Sequence, residues 1–85
     1  MSDPASSETR LRTTFNIKVN GKSVAISTVG QAYQFLASLN AVEWMEFRSL
    51  HGQAVSALEA AADNAIMTVQ ATNAVRTLFV HAKML

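Results

Sequence analysis

The chain contains no cysteine, so the sequence excludes disulfide bonds and metal sites that depend on thiolate ligands. The charges are nearly balanced, since seven basic and six acidic residues leave a net charge of +1. This balance gives no general signal for nucleic acid, a membrane surface or an acidic partner. No apolar run approaches the roughly 18–20 residues of a membrane span, and the N-terminal residues lack the apolar segment of a secretory signal. A soluble cytoplasmic protein is therefore expected.

The 85 residues provide material for one domain with a small core. A chain of this size buries only about 60–65% of its unfolded surface. Its core is therefore expected to exceed the cost in conformational entropy by only a few kcal/mol. Residues 1–12 are small and polar, which predicts a disordered N-terminal tail. Residues 13–85 are predicted to form the single domain.

A β-hairpin is predicted around Asn20-Gly21, because this dipeptide is a strong signal for a two-residue turn and lies between two alternating apolar segments. The predicted pairs are Val19 with Lys22, Ile17 with Val24, and Phe15 with Ile26. In this register the apolar side chains share one face of the hairpin and the polar ones share the other. Turn chemistry and side-chain pattern therefore agree, which supports the hairpin.

Beyond Thr28 the apolar residues recur at helical spacing. Thr28 and Gln31 fit a capping box, in which each side chain accepts a hydrogen bond from the other residue's backbone N–H. Asn40 and Glu43 repeat the same pattern at the start of a second helical segment. The two pairs predict where the first and second helices begin.

The helices are predicted at residues 29–39, 41–62 and 65–83. Gly52 falls in the middle of the second predicted helix. It either splits this helix in two or lies within one continuous helix, and the continuous helix is favoured. A mid-helix glycine costs about 1 kcal/mol relative to alanine. The predicted fold class is α+β, with one antiparallel β-hairpin packed on three helices in the order ββααα.

The last helix carries the clearest motif, "AVRTLFVHAKM", with Arg76, Phe79 and Ala82 at its characteristic positions. It resembles the last helix of domain-of-unknown-function family nine-eight-two, a family of small uncharacterised bacterial proteins common in rhizobia. Asn64 stands where that family usually has glycine, which implies a left-handed helix end. The chain departs from the family at Leu39-Asn40, where Trp-Pro is usual. The resemblance implies a bacterial origin and a ββααα fold over residues 15–83, and no activity is established for the family.

Neither histidine belongs to a recognisable catalytic or metal-binding pattern. His51 and His81 are the only histidines and lie far apart in the sequence, whereas a zinc site needs three or four ligands, typically at local spacing. Ser49 is two residues from His51, an offset that points the two side chains apart on a helix. His51 is predicted to be a hydrogen-bonded residue at the edge of the core, and His81 a surface residue. No enzyme activity, catalytic residue, metal or cofactor is predicted.

Two surfaces are candidates for partner binding. The first is a basic stretch without acidic residues, which could contact nucleic acid. The alternative interpretation is ordinary surface charge that protects a sheet edge. The members of this stretch are Arg10, Arg12, Lys18 and Lys22. Apolar residues of the second and third helices could form a protein interface, although Trp44 and Phe47 fit the core better. The interface candidates are Trp44, Phe47, Phe79 and Val80.

The last helix is apolar over more than one stripe, which predicts a homodimer formed through a helix face or a sheet edge. The leading functional prediction is a non-enzymatic binding or regulatory module that acts through protein–protein contacts. The alternative is a small nucleic-acid-associated regulator that uses the basic stretch of the tail and the hairpin. An enzyme subunit is a weaker alternative, and no membrane association is predicted.

Overall fold

The structure is a computed structural model that describes residues 6–19, 21–38 and 47–83. Among these residues, an antiparallel hairpin is followed by three α-helices, which confirms the predicted ββααα arrangement. A short 3-10 helix, Ala65–Met67, joins the last two helices. The main elements are β1 (Arg10–Val19), β2 (Lys22–Thr28), α1 (Val29–Ser38), α2 (Arg48–Asp63) and α3 (Thr68–His81).

The hairpin has the register that the sequence predicted. Val19 pairs with Lys22 across the turn, and the pairing continues in step as far as Phe15 and Ile26. Gly21 takes φ of +80°, a region that glycine enters without steric cost. The side chains of Phe15 and Ile26 are buried on the inner face, and so is that of Ile17, the next inward residue of β1 toward the turn. Turn and pattern therefore act together to fix which face meets the helices.

The first strand begins earlier than predicted. β1 starts at Arg10, and Leu11 is buried in the core with only 8% of its surface exposed. The backbone carbonyls of Ser7 and Thr9 accept hydrogen bonds from the N–H groups of Gly30 and Val29, at 3.0 and 2.8 Å. They thus satisfy the first N–H groups of α1, which have no partner within the helix. The predicted boundary between a tail and the domain at residue 12 therefore falls inside β1.

The helices cover the inner face of the hairpin. α3 packs against β1, α1 packs against β2, and α2 contacts both helices from behind. Phe79 of α3 is fully buried and makes edge-to-face contacts with Phe15 and Phe35, at centroid distances of 5.5 and 5.8 Å. Such aromatic pairs add about 0.5–1.5 kcal/mol each beyond the area that they bury. This aromatic cluster joins the strand layer to α1 and α3.

The helix signals were confirmed at the start of α1 and through the middle of α2. Gln31 N–H donates to the Thr28 hydroxyl at 3.1 Å, and Thr28 N–H donates to the Gln31 side-chain oxygen at 3.3 Å, which completes the capping box. α2 is continuous through Gly52, whose position for a Cβ atom has no neighbour within 4 Å. As described, α2 begins at Arg48. The predicted residues 41–46 and the Asn40–Glu43 cap lie outside the described residues.

The left-handed helix end predicted at Asn64 was wrong. Asn64 is extended, with φ of −143°, and its side-chain oxygen accepts a hydrogen bond from Ile66 N–H at 3.2 Å. It therefore starts the 3-10 helix as an N-terminal cap, a role that asparagine performs well. The left-handed residue is instead Lys83, with φ of 59°, just beyond α3.

Candidate functional site

The outer face of the hairpin is polar and basic. The alternating β1 residues on this face are all exposed, whereas their neighbours at 11, 15 and 17 are buried. Residues 10–28 contain no acidic side chain. The exposed residues of this face are Arg10, Arg12, Thr14, Asn16 and Lys18 of β1, with Ser23 and Ala25 of β2. Lys22 is also exposed, beside the turn. All four predicted basic residues are therefore accessible on one hairpin.

The outer edge of β2 is the second feature. In a hairpin with a two-residue loop, the pair that flanks the loop is hydrogen-bonded and later pairs alternate. Val24 and Ile26 therefore bond to β1, whereas Ser23 and Ala25 direct their backbone groups away from it. The Ser27 N–H also points outward, and it donates to the Gln31 side-chain oxygen at 2.8 Å. No strand among the described residues pairs with this edge.

A groove of about 410 Å³ borders the same edge, between β2 and α1. Its lining residues are Val24, Ala25, Ile26, Gln31, Gln34 and Phe35. Neighbouring strands lie about 4.8 Å apart, whereas a helix with its side chains is about 10 Å across. α1 is therefore wider than a single strand, and its residues Gln31, Gln34 and Phe35 form the wall of the groove beside β2. The groove lies where the inward side chains of a further strand would be placed.

The start of β1 is irregular, and α3 supports it. From Arg10 to Phe15 the strand advances five residues while β2 advances two, from Thr28 to Ile26, so the ladder is interrupted. Arg12 N–H, within this irregular stretch, donates to the hydroxyl of Thr72 at 3.0 Å, and Thr72 is only 2% exposed. The hydroxyl thus supplies an acceptor where the ladder lacks one. Sequence reasoning missed Thr72, because a single threonine on an apolar helix stripe has no distinctive spacing.

One further cation lies beside β1. The Arg76 guanidinium carbon is 5.9 Å from the centroid of the Phe15 ring, within the range of a cation–π contact. Arg76 also donates a long hydrogen bond of 3.4 Å to the Asn73 side chain. The sequence placed Arg76 near the end of the last helix without indicating that it reaches β1. Arg76 therefore adds an exposed cation beside β1, on the side of the sheet that faces α3.

The predicted apolar interface is not assembled as a patch. Phe79 is fully buried, so its assignment to an interface was wrong: it points into the aromatic cluster rather than toward solvent. Phe47 is half-buried and packs against the core, and Trp44 lies outside the described residues. Val80 is 56% exposed and Val69 is 44% exposed, but the two residues lie about 16 Å apart along the helix axis. The exposed apolar area of α3 is therefore divided.

Both histidines have hydrogen-bonded structural positions. His51 is half-buried, and its Nε2 is 3.2 Å from the Leu36 carbonyl oxygen in the last turn of α1. A ring protonated at Nε2 donates to that carbonyl oxygen. His81 is exposed, and its Nδ1 lies 2.9 Å from the Thr77 carbonyl oxygen. Both placements match the predicted roles.

A search of the described residues finds no cluster of three or more histidine, cysteine or carboxylate side chains that could hold a metal ion. Within the same residues, each helix is too short or too polar to cross a bilayer. Comparison with known proteins found no matching family model, no matching curated protein and no matching solved structure. The resemblance to domain-of-unknown-function family nine-eight-two stays a prediction.

Proposed function

We propose that the chain is a non-enzymatic binding module that acts through protein–protein contacts, and that its first partner is a second copy of itself. The observation that carries the proposal is the open edge of β2 beside the groove on α1. A two-stranded sheet is marginal on its own, whereas sheets of about four to six strands are the most common. Two hairpins joined edge to edge make a four-stranded sheet.

An antiparallel pairing centred on Val24 fits the open edge. Ser23 of each copy then lies opposite Ala25 of the other, and both pairs direct N–H and C=O groups toward each other. Ser27 keeps its hydrogen bond to Gln31 in this register. The two Val24 side chains meet at the centre, since residues opposite each other at such a position have Cα atoms about 4.5 Å apart. The edge is thus self-complementary.

The expected dimer is weak. The two facing pairs give about four backbone hydrogen bonds, each with a net contribution of about 0.5–1.5 kcal/mol. Association costs about 4–15 kcal/mol, so burial of apolar surface at Val24 and in the groove must supply the remainder. We therefore expect a dissociation constant on the order of 1–100 µM.

The test compares one proline substitution on each edge of the sheet. Asn16 and Ala25 face each other at a position where both direct their backbone groups away from the hairpin ladder. Ala25→Pro removes an outward N–H from the β2 edge, and Asn16→Pro removes the equivalent N–H from the β1 edge. Both keep the β1–β2 hydrogen bonds. In sedimentation equilibrium we expect the native chain and Asn16→Pro to dimerise and Ala25→Pro to stay monomeric.

Circular dichroism checks that each variant is folded. Should Ala25→Pro fail to fold, Val24→Lys provides the same test, because Val24 is only half-buried and two lysines would oppose each other at the dimer centre. A native chain that stays monomeric above about 300 µM would overturn the self-association. A dimer that survives Ala25→Pro but not Asn16→Pro would move the contact to β1, and one that survives both would move it to the helices.

A further inference from the structure

We propose that the outer face of the hairpin binds duplex DNA as a two-stranded β-ribbon, with its cations on the phosphates at both sides of the major groove. The proposal does not depend on dimerisation, because it uses the exposed face of the sheet rather than its edge. Its starting observation is the distribution of charge. The face has cations at both ends and uncharged hydrogen-bonding side chains between them.

The spacing of the charges fits a groove. Arg10 and Arg12 lie at one end of β1, and Lys18 lies toward the turn with Lys22 beside it. Arg10 and Lys18 lie opposite Thr28 and Ser23, which are five residues apart on β2, so the two cations are about 16 Å apart along the ribbon at a rise of about 3.3 Å per residue. The major groove of B-DNA is about 12 Å wide and admits a two-stranded ribbon. Long side chains at the two ends can therefore reach phosphates on opposite sides of the groove.

The centre of the face has the chemistry that nucleic acid uses. Thr14 and Asn16 of β1 and Ser23 of β2 are exposed between the cations and offer hydroxyl and amide groups. Such side chains bind phosphate and sugar oxygens or base edges. Since cations make most of the contacts, the expected preference for particular base sequences is weak.

The same composition disfavours a protein partner on this face. Protein interfaces depend on buried aromatic and large aliphatic anchors, with a few such residues carrying most of the binding energy. Among the described residues of the outer face, Ala25 is the one apolar side chain. An acidic polypeptide would find charge there but no pocket for an anchor.

Salt dependence gives the expected magnitude. Neutralising Z phosphates on duplex DNA gives a slope of about −0.9Z for log K against log salt, so contacts from four cations predict about −3.6. Affinity should therefore fall about 150-fold between 50 and 200 mM salt. With two cations removed the slope becomes about −1.8, and the fall over the same range is about 12-fold.

The experiment uses the full chain and a fluorescein-labelled duplex of about 20 base pairs, with fluorescence anisotropy measured across that salt range. The test variant is Arg12→Gln with Lys18→Gln. Both side chains are exposed, and the Arg12 backbone N–H keeps its bond to Thr72. The matched control is Arg48→Gln with Lys83→Gln, which removes two exposed cations from outside the hairpin and gives the same net charge.

We expect the test variant to bind more weakly and to halve the salt slope, and the control to keep the native slope. Thermal denaturation confirms that both are folded, and sedimentation should show the test variant assembling like the native chain. Equal losses in the two variants would reduce the effect to net charge and overturn the proposal. The proposal would also be overturned if the chain did not bind the duplex at 50 mM salt, or if it bound one labelled strand alone more tightly than the duplex. A third contrary result would be that poly-glutamate displaces the labelled duplex at a lower concentration than unlabelled duplex does.

Discussion

Replacing Thr72 with valine should destabilise the fold through a single hydrogen bond. Valine keeps the shape of the side chain and a similar helix propensity, but it removes the hydroxyl that accepts the Arg12 N–H at 3.0 Å. A buried backbone donor left without a partner costs about 1–3 kcal/mol. Thr72 is almost fully buried, but Arg12 is exposed, so water can partly replace the lost acceptor. We therefore expect a loss of about 1–2 kcal/mol.

Urea denaturation followed by circular dichroism measures this loss, and the melting temperature should fall by roughly 4–16 °C for a domain of this size. Thr77→Val is the matched control. Thr77 lies on the same helix and its hydroxyl donates to the Asn73 carbonyl at 2.9 Å, but it is exposed to solvent. A change within about 0.5 kcal/mol is typical of such a surface position. If the two variants proved equally stable, Thr72 would not support the irregular start of β1.

Two glycine substitutions should have opposite effects. Gly52 lies in the middle of α2, and a Cβ atom added there would meet open space. We therefore expect Gly52→Ala to raise the free energy of unfolding by about 0.8–1 kcal/mol. A decrease would show that the helix bends or opens there. Gly21→Ala forces an alanine to φ of +80° in the hairpin turn and should lower the free energy of unfolding by about 1–2 kcal/mol. If the midpoint of urea denaturation did not change, the turn would be able to rearrange.

The hairpin and the start of α1 could be predicted because their signals are local. Asn20-Gly21 and the alternation around it determine both the turn and the register, and Thr28 with Gln31 carries both halves of a capping box. Each signal lies within a few residues of the structure that it determines. Lys18 and Lys22 could be assigned to the hairpin for the same reason, whereas Arg10 and Arg12 were placed in the predicted tail and belong to β1 in the structure.

What could not be predicted depends on contacts between distant parts of the chain. The irregular start of β1 relies on Thr72, which is 60 residues from Arg12. Ser7 and Thr9 hold the start of α1 through backbone carbonyls, which every residue possesses, so their side chains carry no signal. The groove likewise depends on how α1 packs beneath β2, and no short sequence pattern determines that packing.

Phe79 shows the limit of periodicity on a helix that is apolar on several sides. The sequence shows that the last helix is apolar over more than one stripe but not which stripes are buried, and Phe79 was predicted to belong to an interface. In the structure α3 is covered by both β1 and α2, so a second row with Thr68 and Thr72 is buried as well. Two neighbouring elements widen the buried face, and Phe79 falls within it.

The cations of β1 also bear on which edge can pair with a second copy. An antiparallel pairing of two β1 strands centred on Phe15 would bring the Arg12 end of one copy beside Lys18 of the other, and like charges in neighbouring strands are destabilising. Pairing through β2 instead puts two strands between the β1 strands, which then lie about 14 Å apart. That separation exceeds the Debye length of about 8 Å at physiological salt, so most of the repulsion is screened. The charge pattern proposed to bind DNA would therefore also favour self-association through β2, where Lys22 is the one cation, and would leave both β1 strands exposed in the four-stranded sheet.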